Sequence, residues 1–239
     1  LTYVVRKDRN DELDDISFEG FKAHLAWKQQ TVADLDRLFD YDSLSMEEQT
    51  SFDIWIYQYE RMRGAEDFFY SGLTFDQMNG AQSQLPTFLI NIHEVDDAED
   101  MTAYIARIKA VGPYMRTALN NAKRTSALGV TTPGFALDGV IEQSKAILSG
   151  APFAANESTG ASSEDSPIWA DIKQEIAVLL ETSRITVDQG DQLLSSAKSA
   201  LLQDFQPAYQ AVINWAEAEQ DKVPTKSTGV GSQPNGAAY

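Results

Sequence analysis

Leu44-Ser45-Met46-Glu47-Glu48-Gln49-Thr50-Ser51-Phe52-Asp53-Ile54-Trp55-Ile56-Tyr57-Gln58-Tyr59-Glu60-Arg61-Met62 is the stretch whose reading decides the fold. Ser45 and Glu48 have the spacing of a capping box, in which each side chain accepts the other residue's backbone N–H at a helix start. Behind the box, Phe52, Trp55, Ile56, Tyr59 and Met62 recur at steps of three and four. That period places them on one helical face, whereas a strand would alternate them between two. Leu44, just before the cap, is placed for a hydrophobic staple onto the first turn.

The same grammar extends in both directions. Upstream, Ser17 caps a helix whose stripe of Phe18, Phe21, Leu25, Val32, Leu35 and Leu38 is expected to be core. Downstream, Gly72 to Pro86 breaks the pattern and reads as a loop, or a short helix between loops, before a short apolar run at Phe88 to Ile92 that fits one more helical turn better than a lone strand. Asp96 or Asp97 caps a helix carrying Met101, Tyr104, Ile105, Ile108 and Val111, which Gly112-Pro113 should kink or end before Tyr114, Met115 and Leu119. Gly129 is placed as the stop of that second stretch. Thr132-Pro133, Ser166-Pro167 and Thr186 with Gln189 each open a further helix, and Pro207 should bend the chain into Tyr209, Val212, Ile213 and Ala216. Gly150 to Asp165 reads as a surface excursion. The expected fold is all-α: an array of about eight mostly antiparallel helices with little or no strand, over residues 1–222, followed by an irregular tail at 223–239.

Composition bounds the function. Of 239 residues, 19 are Lys or Arg and 36 Asp or Glu, a net charge of −17, so nucleic acid is excluded as a partner for want of a basic groove. A compact chain of this mass exposes about 10,600 Å² of roughly 38,000 Å² when unfolded, enough for a large core. There is no cysteine, which removes disulfides, thiolate metal sites and thiol nucleophiles. No apolar window is long enough to span a bilayer, and Leu1 onward reads as a trimmed start rather than a signal peptide.

Catalytic motifs are scarce. His93-Glu94 opens a His-Glu-x-x-His zinc motif, but Asp97 occupies the place of the second imidazole and the stretch straddles a helix start. His93 therefore reads as a polar residue before a cap, and His24 as a structural imidazole held by a partner. The carboxylate pairs mostly precede helices, where they favour the N-terminal dipole. No catalytic residue and no metal ligand is assigned. The polar run Asp76 to Pro86 stands apart: Gln77, Asn79, Gln82 and Gln84 are candidate substrate-binding residues, since amide side chains can match a peptide backbone. The competing reading is that these amides tie the loop to itself.

Four stretches together resemble the bacterial family of unknown function DUF885. They are Phe75 to Pro86, similar to a Gln-Met-x-Gly…Leu-Pro segment; Tyr104 to Ile108 with Val111 and Tyr114; Leu44 to Asp53; and Pro234-Asn235-Gly236-Ala237-Ala238-Tyr239. The resemblance implies a helical, exported, periplasmic or lipid-anchored protein about twice this long, with the anchor upstream of Leu1. Relatives are regarded as zinc-dependent peptidases whose His-Glu site lies in a later half. No position here matches those ligands, so the resemblance implies an N-terminal scaffold, itself inactive and without cofactor, that packs against its own C-terminal half and helps to hold a peptide substrate. The alternative is a non-catalytic helical module that binds a protein or peptide.

Overall fold

The computed structural model describes residues 7–153, 164–223 and 229–238. Most of the surface excursion at Gly150 to Asp165, and part of the tail, lie outside them. Among the described residues there are eight α-helices and no named strand, only an isolated bridge between Ala151 and Asp165. The helices are α1 (Phe18–Leu38), α2 (Met46–Gly64), α3 (Ala81–Asn91), α4 (Ala98–Ala127), α5 (Gly134–Ile147), α6 (Pro167–Glu181), α7 (Val187–Ala200) and α8 (Gln206–Gln220).

The caps form where the sequence places them. Ser17 accepts the Gly20 N–H, and Ser45 and Glu48 close a reciprocal box, as do Thr186 and Gln189. Of the two candidate aspartates, Asp97 is the cap of α4, accepting from Glu99 and Asp100 at 2.9 and 3.0 Å. At the far end Gly129 takes φ +85°, and the Gly129 and Val130 N–H groups reach back to the Ser126 and Thr125 carbonyls. That paired return stops the helix, and only glycine adopts the left-handed backbone without strain.

The structure sets the prolines differently from their sequence reading. Gly112-Pro113 does not end its helix: α4 runs on for 30 residues, about 45 Å. Pro86 is not a loop residue but lies inside α3. A proline there leaves the carbonyl four residues back without its N–H. That carbonyl is Gln82's, and it accepts instead from the buried Tyr209 hydroxyl of α8 at 2.9 Å. Pro207 is accommodated by a π-helical segment, Leu201–Phe205, that joins α7 to α8 without a break, so the Gln206 N–H still reaches the Leu201 carbonyl. Pro133, expected at the first helical position, stands one residue earlier as the cap of α5.

The core is built from α3 to α8. Leu89, Met101, Ile108, Val111, Met115, Leu137, Ile172, Phe205 and Tyr209 are all completely or almost completely buried within it. The stripe on α1 is a further correction: no residue of α1 is buried, and on α2 only Phe52 is. These two helices pack on each other, with Trp27 against Trp55 at 5.7 Å, and project from the body. Their base is held by Phe18 and Phe21 against Phe69 and Tyr70 of a 3-10 turn, Glu66–Ser71, with the Arg124 guanidinium of α4 over the Tyr70 ring. The chain exposes 14114 Å², well above the compact value, and the projecting hairpin is one source of the excess.

Candidate functional site

The polar run before α3 is organised by Asp76, whose carboxylate accepts the Met78 and Asn79 N–H groups at 2.6 and 2.7 Å. This turn splits the four candidate amides into two pairs. Gln82 is buried; its Nε2 donates to the Asp76 carbonyl at 2.6 Å and to Gln143 Oε1 of α5 at 2.8 Å. Gln143 in turn donates to the Gln77 carbonyl at 2.9 Å. Gly139, one turn before Gln143, lets the loop approach: a Cβ there would lie 2.6 Å from that of Gln77. The Gln82 side chain and the Gln77 backbone carbonyl thus fasten the loop to α5.

Asn79 and Gln84 point the other way. Both are exposed, neither side chain has a hydrogen-bond partner among the described residues, and both line a cleft of about 350 Å³. The opposite wall is α4, through Tyr114, Asn121 and Thr125, and the rim is Ile16, Phe69, Leu73 and Thr74. Asn121 holds the Ile16 carbonyl at 2.8 Å. Burial raises the Tyr114 pKa, so its hydroxyl remains protonated at neutral pH. The cleft therefore offers two free amides and a phenol beside apolar surface, a set suited to the N–H and C=O groups of an extended chain.

Sharing Leu73, Thr74 and Thr125 with the cleft is a cavity of about 10 Å³, room for about one water. It is lined by Trp215 and Glu219 among others, and the buried Trp215 Nε1 has no hydrogen-bond partner. Burial pushes the Glu219 carboxyl up, but donation from Lys222 and Ser126 outweighs it and holds the group below its usual range.

His93 lies elsewhere, in a polar knot that fastens residues 7–12 to α4. Its Nε2–H donates to the Asp100 carbonyl at 3.0 Å, its Nδ1 accepts from Arg107, and its ring stacks on Tyr104. Burial, reinforced by Arg107, lowers its pKa to about 4. Arg107, 1% exposed, also binds Asn10 Oδ1 and the Glu12 carbonyl and lies over the Phe88 ring. Tyr104 donates to Asp171 at 2.7 Å; burial raises the Asp171 carboxyl, and that hydrogen bond partly offsets the rise.

Neither imidazole fits the zinc that the resemblance implies for relatives. Both nitrogens of His93 are engaged, and the Asp97 carboxylate is used as a helix cap. His24 is exposed beside Trp27 rather than held by a buried partner. Among the described residues no three His, Asp or Glu side chains gather as metal ligands. The cleft residues that sequence reasoning missed, Tyr114, Asn121 and Thr125, lie on α4, where their helical period marks them only as packing positions.

No curated protein matches the chain significantly in sequence. In fold it is similar to a solved structure described as "the putative lipoprotein from Colwellia psychrerythraea", with a TM-score of 0.74 and 18% identity. The match covers 96% of this chain and 38% of that one, so the chain spans well under half of that protein's length. No described helix is long and apolar enough to cross a membrane. The family described as "Bacterial protein of unknown function (DUF885)" matches residues 2–239, and the ordered stretches at Leu44, Phe75, Tyr104 and Pro234 fall inside that match; the chain belongs to the DUF885 family.

Proposed function

We propose that this chain is the helical scaffold part of an exported, envelope-associated zinc-dependent peptidase, forming one wall of its peptide groove while the rest of the longer protein supplies the metal site. The observation that carries this reading is the cleft between the Asp76 turn and α4, which Asn79 and Gln84 line, while the Gln82 amide and the Gln77 carbonyl are used in holding the loop to α5. Support also comes from the length of the lipoprotein of similar fold, which leaves room for a second part. In the groove, Asn79 and Gln84 would pair with successive backbone amides of an extended peptide, and Tyr114 would donate to a carbonyl. Each such bond contributes little net affinity, about 0.5–1.5 kcal/mol, so the wall orients a substrate more than it captures one.

The test is a titration of the chain with end-blocked oligoalanine, followed by amide chemical shifts. The expected result is a set of shifts around residues 72–84 and 114–125 that shrinks with Asn79→Ala plus Gln84→Ala and disappears when the peptide's own amides are N-methylated. Shifts indifferent to both changes would remove the cleft from the reading. Stoichiometric zinc held by this chain alone, or peptide hydrolysis by it, would overturn the division of labour.

A further inference from the structure

The turn joining α1 to α2 carries a second feature, separate from the cleft. Leu38 is 61% exposed and Phe39 49%. Together with Tyr41, Phe52 and Ile56 they line an open depression at the hairpin tip. Its rim is acidic: Asp36, Asp40 and Asp53 lie on it and Asp42 is adjacent in the turn. One cation, Arg37, also lines it and is already paired with Asp34 at 2.9 Å. Among the described residues no lysine or arginine pairs with Asp36, Asp40, Asp42 or Asp53.

An apolar floor with uncompensated carboxylates selects its occupant by charge. A second copy would bring the same carboxylates, on a chain of net charge −17, against this rim. We propose that the hairpin tip is a docking surface for a cationic amphipathic helix of a separate protein, whose apolar stripe covers Leu38 and Phe39 while its flanking lysines or arginines meet Asp36, Asp40 and Asp42. Long-range attraction would speed encounter and the apolar contact would set the lifetime.

The probe is a short synthetic helix of leucine and lysine, titrated calorimetrically into the chain. Saturable binding is expected, weakened about tenfold by Leu38→Ser plus Phe39→Ser. Asp40→Asn plus Asp42→Asn should weaken it a few-fold at low salt, a difference that fades as salt screens the rim. Val187→Ser, an exposed apolar position at the start of α7, should leave it unchanged. These tip positions are solvent-facing, so folding is not at risk. Equal affinity for the tip variants, or for a leucine and glutamate helix, overturns the proposal. So does tip-dependent dimerisation without peptide, which assigns the surface to a second copy. Failure of the product of the whole gene to bind the peptide would show the tip covered by its own polypeptide, and would equally sink the idea.

Discussion

The α1–α2 hairpin and the α3–α8 body are equally well patterned as sequences and opposite as structures. Both have clean caps and an apolar period of three to four, yet the body buries its stripes around Met101, Ile108 and Leu137 while α1 buries nothing. Periodicity records that a helix has an apolar face; it does not record what covers that face. Beyond the base at Phe18 and Phe21, the two stripes of the hairpin cover each other, half-burying Leu25, Val32, Leu35, Trp55 and Ile56.

The contrast can be broken most directly by truncating one side chain in each region. Ile172→Ala in the body should cost about 2–5 kcal/mol in denaturant unfolding, and Val32→Ala on α1 less than about 1 kcal/mol. Equal losses would mean that the hairpin is as much a part of the cooperative unit as the body.

Acid provides the next contrast, because the buried polar knot belongs to the body alone. His93 is neutral in the fold, with a pKa of about 4 against the ordinary 6.5, so the unfolded chain binds more protons between those values. Stability should be complete above pH 6.5 and fall as pH drops towards 4, by on the order of 1–3 kcal/mol. His93→Gln should flatten that slope in a plot of Tm against pH. Asp171 and Glu175, whose carboxyls burial raises, act in the opposite sense in the acid range and set the residual slope.

Tyr209→Phe is expected to cost about 1–2 kcal/mol, because it leaves the Gln82 carbonyl without a donor. Combining it with Pro86→Ala, which restores a helical N–H, should recover part of the loss in a double-mutant cycle. Simple additivity of the two would show that the hydroxyl does not stand in for the missing amide. The smallest effect belongs to the hairpin tip: Met46→Ser should change stability by less than about 0.5 kcal/mol, while hydrogen exchange in α1 and α2 outpaces that in α4.

What was legible in the sequence was local. Ser17, Ser45, Ser166 and Thr186 announce their helices because a cap is satisfied within three residues, and Gly129 announces a stop because its conformation is its own property. Pro86 misled because the outcome there depends on a partner remote in sequence, as Tyr209 is from Gln82. For the candidate site, the run at residues 76–84 was visible as an amide-rich segment, but nothing local separates Asn79 and Gln84 from Gln77 and Gln82. That division is imposed by Gly139 and Gln143, some sixty residues away. Tyr114, Asn121 and Thr125 join the site only because α4 passes beneath the turn, information that no spacing along α4 contains.

The segment before α1 is fastened to α4 at both ends, by the knot in which Arg107 holds the Glu12 carbonyl and by Asn121, which holds the Ile16 carbonyl. It lies along α4 like a belt with two buckles, roughly 21 Å apart on a regular helix. Because the second buckle sets the position of Ile16 on the cleft rim, adding or deleting one residue between Glu12 and Ile16 would shift the threshold of the cleft without touching any residue inside it.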